Sequence, residues 1–180
     1  VLDYEDGMLP WVEGTRLDED IAAAIAQCRP DVVVTFGEDG LYWHPDHIAV
    51  HERTTAAVVA IGAAAPALYY VTMPPGAMRA LVDASPGAGA HVLGIEDVDA
   101  FGAQAPPPTL VVDVGAYAVR KLAALQCHRT QVRDGAIARL GERDARRLLG
   151  IEHYRRADVG TRADAFIEWF GTGWRDREGG

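Results

Sequence analysis

Three short runs rich in β-branched and aromatic residues punctuate the chain: DVVVTF (31–36), ALYYVTM (67–73) and TLVVDV (109–114). Each is followed by a stretch with helical character, and this alternation constrains the fold more than any other feature. A run as continuously apolar as DVVVTF suits a strand covered on both faces. Covered strands separated by helices build a largely parallel sheet, because parallel neighbours need a long crossover between them. The expected class is therefore α/β, with helical layers on the sheet and ligands collected beyond the carboxyl ends of the strands. At 180 residues, the chain reads most simply as one domain, large enough to bury about two-thirds of its unfolded surface. No internal repeat is visible.

The intervening segments fill in the layers. RLDEDIAAAIAQCRP (16–30) places Ile21, Ala24, Ile25 and Cys28 on one helical stripe, with Asp18 as N-cap and Pro30 after the stop. From about His47 a second helix carries Ile48, Thr55 and Val59 as a buried stripe that Glu52 interrupts. PPGAMRALVDA reads as a short helix opened by proline. Residues 84–108 are rich in Gly, Ala and Pro and read as a long irregular connection of the kind that often lines a site. After the third strand, a helix runs through GAYAVRKLAALQCHRTQV with Val119, Leu122, Ala123 and Leu125 inward, and further helices are expected at 142–149 and 161–170.

Charge and cysteine usage narrow the partners. A formal net charge of -9 argues against a nucleic-acid phosphate backbone, which needs a concentrated basic face. Arg139, Arg143, Arg146, Arg147, Arg155 and Arg156 cluster late but are interleaved with acids, which reads as a solvated helix face. Cys28 and Cys127 belong to no CxxC pair, so buried free thiols in a reducing compartment, the cytoplasm, are expected. No apolar run reaches the roughly 18 residues of a membrane span. The chain opens at Val1 rather than methionine, and VLDY reads as the end of a strand entering a polar turn.

The chemistry concentrates in GLYWHPDHIAVHE (40–52), just after the first strand. His44, Asp46, His47 and His51 crowd a loop-to-helix junction, where Pro45 fixes the backbone direction. A neutral imidazole is a metal ligand, and a protonated one is an acid near neutrality. Asp46 is placed to orient an imidazole from behind. His47 and His51, four apart on a helix, share a face. A metal site made of His44, His47 and His51 together is one reading of the residues alone.

GLYWHPDHIAVHERT resembles the second signature of the PIG-L/LmbE-like deacetylases, zinc enzymes that remove acyl groups from N-acylated glucosamine compounds. LDYEDGML (2–9) and VVDVGAYAVRKLAALQCHRTQ (111–131) agree with it. The resemblance implies a Rossmann-like layered fold, of which residues 1–180 form the C-terminal two-thirds. It implies His47 as a ligand of zinc or another divalent metal. It implies His44 as the histidine that stabilises the tetrahedral intermediate or protonates the leaving amine, tuned by Asp46, and Tyr42 as a donor to the oxyanion. Asp6 matches a carboxylate that binds sugar hydroxyls, Trp43 offers a stacking face, and His128, with Gln131, borders the pocket. The implied partner is a small amino-sugar substrate, with no nucleic acid and no membrane; self-association is left open.

The family's first signature, an AHPDDE-like stretch that supplies two more zinc ligands and the general base, has no counterpart in these residues. The only HPD is at 44–46. A chain entered midway through the family's N-terminal domain fits this, with a separate upstream segment completing the metal site. Three alternatives stay open: that segment is a cleaved piece, it was lost to a mis-assigned gene start, or it is truly absent. The last would leave a catalytically inactive sugar-binding or regulatory domain.

Overall fold

The computed structural model of the chain describes residues 2–160. In chain order its elements are α1 (Gly14–Cys28), β1 (Val32–Phe36), α2 (Gly40–Trp43), α3 (Pro45–Ile61), β2 (Ala67–Thr72), α4 (Ala77–Asp83), β3 (Leu110–Asp113), α5 (Ala118–Gln126), α6 (Arg129–Val132), α7 (Ala136–Arg139), α8 (Glu142–Leu148) and β4 (Ile151–Arg156). The strands form one four-stranded sheet in the order β1-β2-β4-β3. β1 and β2 are parallel, with Val32 opposite Ala67 and Phe36 opposite Val71; α3 supplies the crossover that parallel neighbours require. This is the α/β layered fold that the strand–helix alternation predicts. Among the described residues no helix is long and apolar enough to cross a membrane.

The contacts divide the chain into two compact units. Among the described residues the first comprises 2–72, 106–110 and 154–160, and the second Met73–Ala105 and Val111–His153. The core of the first unit gathers Val58 from α3, Leu68 and Tyr70 from β2, Ala65 and Ala157, with Ile25, Val33, Ile61 and Val159 packed against it. Fully burying Val58 or Leu68 removes about 1.5–3 kcal/mol of unfavourable hydration each. In the second unit Leu81, Val98, Phe101, Leu122 and Ile137 are buried. Residues 84–108 are largely irregular, as expected, but anchored: Val92 and Val98 are almost wholly buried, and Ser85 donates its hydroxyl to the Ala136 carbonyl.

Several expectations change. α1 begins at Gly14 with Glu13 in the cap position, so Asp18 lies inside the helix; its buried residue is Leu17. On α3 the buried set is Asp46, Ala49, Thr54, Ala57 and Val58, whereas Val59 is 56% exposed. The face turned inward by the junction at His44 is thus rotated from the predicted stripe. In β1, Val34 is 48% exposed, so the strand is not covered on both faces among the described residues. Leu2–Tyr4 form no strand. Cys28 and Cys127 are free but exposed, not buried. The expected helix after β3 is broken into α5 and α6, with Ala123 outward. Arg155 and Arg156 lie on β4 rather than on a helix; IEHYRR is too polar for periodicity to reveal a strand. The helix expected at 161–170 falls outside the described residues.

Leu68 is fully buried in this core and Val59 is not. Leu68→Ala is expected to cost about 2–5 kcal/mol, and Val59→Ala to stay within about 0.5 kcal/mol of wild type, in urea unfolding. Equal losses at the two positions would contradict the assigned inward face of α3.

Candidate functional site

The site is built where β1 hands over to α3. After Phe36 the backbone closes a turn in which the Gly40 amide donates to the Gly37 carbonyl at 3.0 Å. Asp39 accepts the Leu41 amide at 3.1 Å through its side chain, and the Trp43 amide returns to the Asp39 carbonyl at 2.7 Å. Gly40, Leu41 and Trp43 all have positive φ, at 54°, 67° and 66°. For Leu and Trp such backbone costs of order 1–3 kcal/mol each, which a scaffold holds where geometry matters. At Gly40 the need is also spatial: a Cβ there would lie 3.0 Å from Ile48 Cγ1 and 3.1 Å from His47 Cβ. The helix read from about His47 starts two residues earlier, at Pro45, with His44 as the N-cap.

This turn fixes both imidazoles. The Nδ1 of His47 lies 3.0 Å from the Gly40 carbonyl oxygen. A carbonyl only accepts, so Nδ1 carries the proton and Nε2 presents a lone pair. His47 also stacks on Phe36, with centroids 3.8 Å apart and planes within 2°. His44 is held in the opposite sense: its Nδ1 accepts the Asp46 amide at 3.2 Å, so in the neutral ring Nε2 bears the proton. The two rings lie 4.6 Å apart. A Lewis base and a hydrogen-bond donor therefore stand side by side. Tyr42 meets both edge-on, at 5.8 Å from His44 and 5.3 Å from His47.

Electrostatics sharpen the division. Burial holds the His47 pKa below the ordinary 6.5, against the opposing pull of the Gly40 hydrogen bond and of Asp46 and Asp6, with His44 lowering it further. Burial and then the Asp6 charge raise the Tyr42 hydroxyl above 10.0, so it keeps its proton as a donor at neutral pH. Asp6, exposed on its turn, is thus electrically coupled to the cluster.

Asp46 is buried at the start of α3. Its carboxylate accepts the Gly7 amide at 2.7 Å and the Leu9 amide at 3.1 Å, clamping the EDGML turn beside Asp6 to the start of α3. Trp43 is half-exposed. His51 donates from Nδ1 to the Phe36 carbonyl at 3.0 Å and packs edge-on against Tyr70. No group of three or more His, Cys, Asp or Glu side chains among the described residues is arranged to hold a metal, which removes the three-histidine site as a reading. His128 and Gln131 belong to the second unit, exposed on and beside α6.

The profile of the family described as PIG-L: GlcNAc-PI de-N-acetylase matches residues 1–58, the segment that holds the Asp6 turn, β1 and all three histidines. Residues 1–58 thus carry the PIG-L family's pattern. It is 37% identical over 149 residues to the 1D-myo-inositol 2-acetamido-2-deoxy-alpha-D-glucopyranoside deacetylase of Acidothermus cellulolyticus, covering 77% of this chain and 51% of the relative. The proteins of the same name from Geodermatophilus obscurus and Mycolicibacterium smegmatis are 35% and 36% identical, over 89% and 82% of this chain and 58% and 54% of theirs. The chain spans about half the length of these curated relatives.

In this chain the supports that escaped the sequence are Phe36, the Gly40 carbonyl and the Glu38–Arg155 ion pair. A glycine just before the histidines was a usable signal for the first turn; nothing local announces a partner on β4.

Two outcomes follow from this geometry. Because the folded His47 resists protonation, lowering pH below about 6.5 charges the unfolded chain first. The ring is expected to titrate below 6.5 by NMR, and its contribution to stability to be complete above that pH and lost as pH falls through the folded value. Titration above 6.5 would contradict the assignment. Asp46→Ala, which strips two amides of their acceptor, should cost about 2–3 kcal/mol in urea unfolding and increase hydrogen exchange at Gly7 and Leu9. Unchanged exchange there would remove the clamp.

Proposed function

We propose that this chain carries part of the active centre of a zinc-dependent hydrolase that removes the acyl group from an N-acyl amino sugar or its conjugate. The observation that carries the reading is the opposed pair of tautomers at His44 and His47. An unprotonated Nε2 at His47, held in place through Nδ1, is the form of imidazole that ligates a divalent cation. Zinc bound there supplies Lewis-acid polarisation of the amide carbonyl and an acidified water. The relatives' name, a deacetylase of an N-acetylglucosaminyl inositol, supports an inositol-type aglycone for the substrate.

The chain's own groups then divide the work. His44 Nε2–H and the Tyr42 hydroxyl donate to the oxygen that gains charge as the amide is attacked. The departing amine takes the proton that the general base removed from the attacking water. Asp6, on the turn that Asp46 fixes, accepts from sugar hydroxyls, and half-exposed Trp43 offers a ring face to the substrate.

A catalytic zinc takes three protein ligands, and His47 accounts for one. We infer that the remaining ligands and the general base come from a segment outside these residues. Two features of the first unit support this. β1 is an edge strand with half-exposed Val34, and Thr35 Oγ1 and Asp39 Oδ2 are buried without a partner.

The test is made on the full-length protein with an N-acetylglucosaminyl inositol. His44→Ala should retain zinc and lower kcat by about 10²–10³, while His47→Ala should lose tightly bound zinc. Sugar binding without any acetate release by the wild-type protein would favour an inactive binding domain instead. Unchanged zinc content in His47→Ala would overturn the assignment.

A further inference from the structure

Arg155 stands on β4, remote in sequence from the histidines, yet its Nη2 donates to Glu38 Oε2. Glu38 is the second residue of the Gly37–Gly40 turn, the same turn whose last carbonyl fixes Nδ1 of His47. The guanidinium is itself held: its Cζ lies 4.8 Å from the centroid of the Tyr70 ring. Tyr70 is buried, its hydroxyl is 2.9 Å from Thr55 Oγ1, and Thr55 in turn donates to the His51 carbonyl at 2.7 Å. His51 closes the circuit by meeting Tyr70 edge-on at 4.7 Å and donating to the Phe36 carbonyl.

An exposed ion pair on a flexible side chain would do little. Here the Arg155 side chain is 20% exposed against 48% for Glu38, and the aromatic face keeps the planar fork pre-organised. Its partner turn runs directly into a backbone with three positive-φ residues, which needs restraint from outside itself.

We propose that Arg155 is a positioning residue for the metal-ligating imidazole. By anchoring Glu38 it fixes the turn that places the Gly40 carbonyl, and the carbonyl fixes the orientation and tautomer of His47. Arg155 touches neither substrate nor cation. The inference rests on the reading of His47 as a cation ligand.

The experiment compares full-length protein carrying Arg155→Ala, Arg155→Lys, Glu38→Gln or His47→Ala, with zinc affinity measured by chelator competition and the melting midpoint recorded in parallel. Loss of a support behind a ligating histidine weakens metal binding about 10–100-fold. Arg155→Ala and Glu38→Gln should each weaken zinc about 10-fold, Glu38→Gln with its melting midpoint unchanged. Arg155→Lys should recover part of the loss, since it restores charge without the planar fork. Should Arg155→Ala fail to fold, Glu38→Gln decides alone. Wild-type zinc affinity in Glu38→Gln, with His47→Ala losing zinc, overturns the clamp and leaves the site reading standing. Zinc retained by His47→Ala overturns both.

Discussion

The hydrogen bond from His47 Nδ1 to the Gly40 carbonyl is the contact on which the rest of the site depends. It joins the first turn of α3 to the loop that leaves β1, and it decides which nitrogen of the ring faces outward. A side chain at Gly40 would press on His47 and Ile48, so the close approach that makes this bond also makes any larger residue there costly. Phe36, stacked beneath the ring at the last position of β1, ties the same imidazole to the sheet. The site therefore inherits its rigidity from a parallel strand pair and a long helix, not from the loop alone.

Around that bond, three distant parts of the chain are recruited by ordinary polar contacts. Asp46 holds the Gly7–Leu9 backbone through its carboxylate, and so brings the charge of Asp6 near Tyr42 and His47. Glu38 receives Arg155 from β4. His51 and Tyr70 brace the underside of the junction. Buried polar groups are costly unless they are paired, and here the pairing of Asp46 doubles as the positioning of a site segment.

Much of this was legible beforehand. A β-branched run, then glycines, then histidines and a proline at a helix start placed the constellation at the carboxyl end of a strand, and β1, α3 and His44 at the helix cap appear there. What was not legible was how the side chains are used. The resemblance pairs Asp46 with His44, but nothing in the sequence announced that its oxygens also satisfy amides 37 and 39 residues away. The inward face of α3 was misjudged because apolar Val59 points outward while Asp46 and Thr54 point in; polar residues that find partners defeat a hydrophobicity count. β4 escaped because its residues are charged, and its Arg155 earns its place only through Glu38 and Tyr70.

The central claim is that the backbone imposes opposite tautomers on two adjacent histidines. Long-range proton–nitrogen correlation of the imidazole rings reads this directly in the metal-free protein, at a pH where both rings are neutral. The account predicts a proton on Nδ1 of His47 and on Nε2 of His44. The same tautomer in both rings, or free exchange between the two forms at His47, would contradict it.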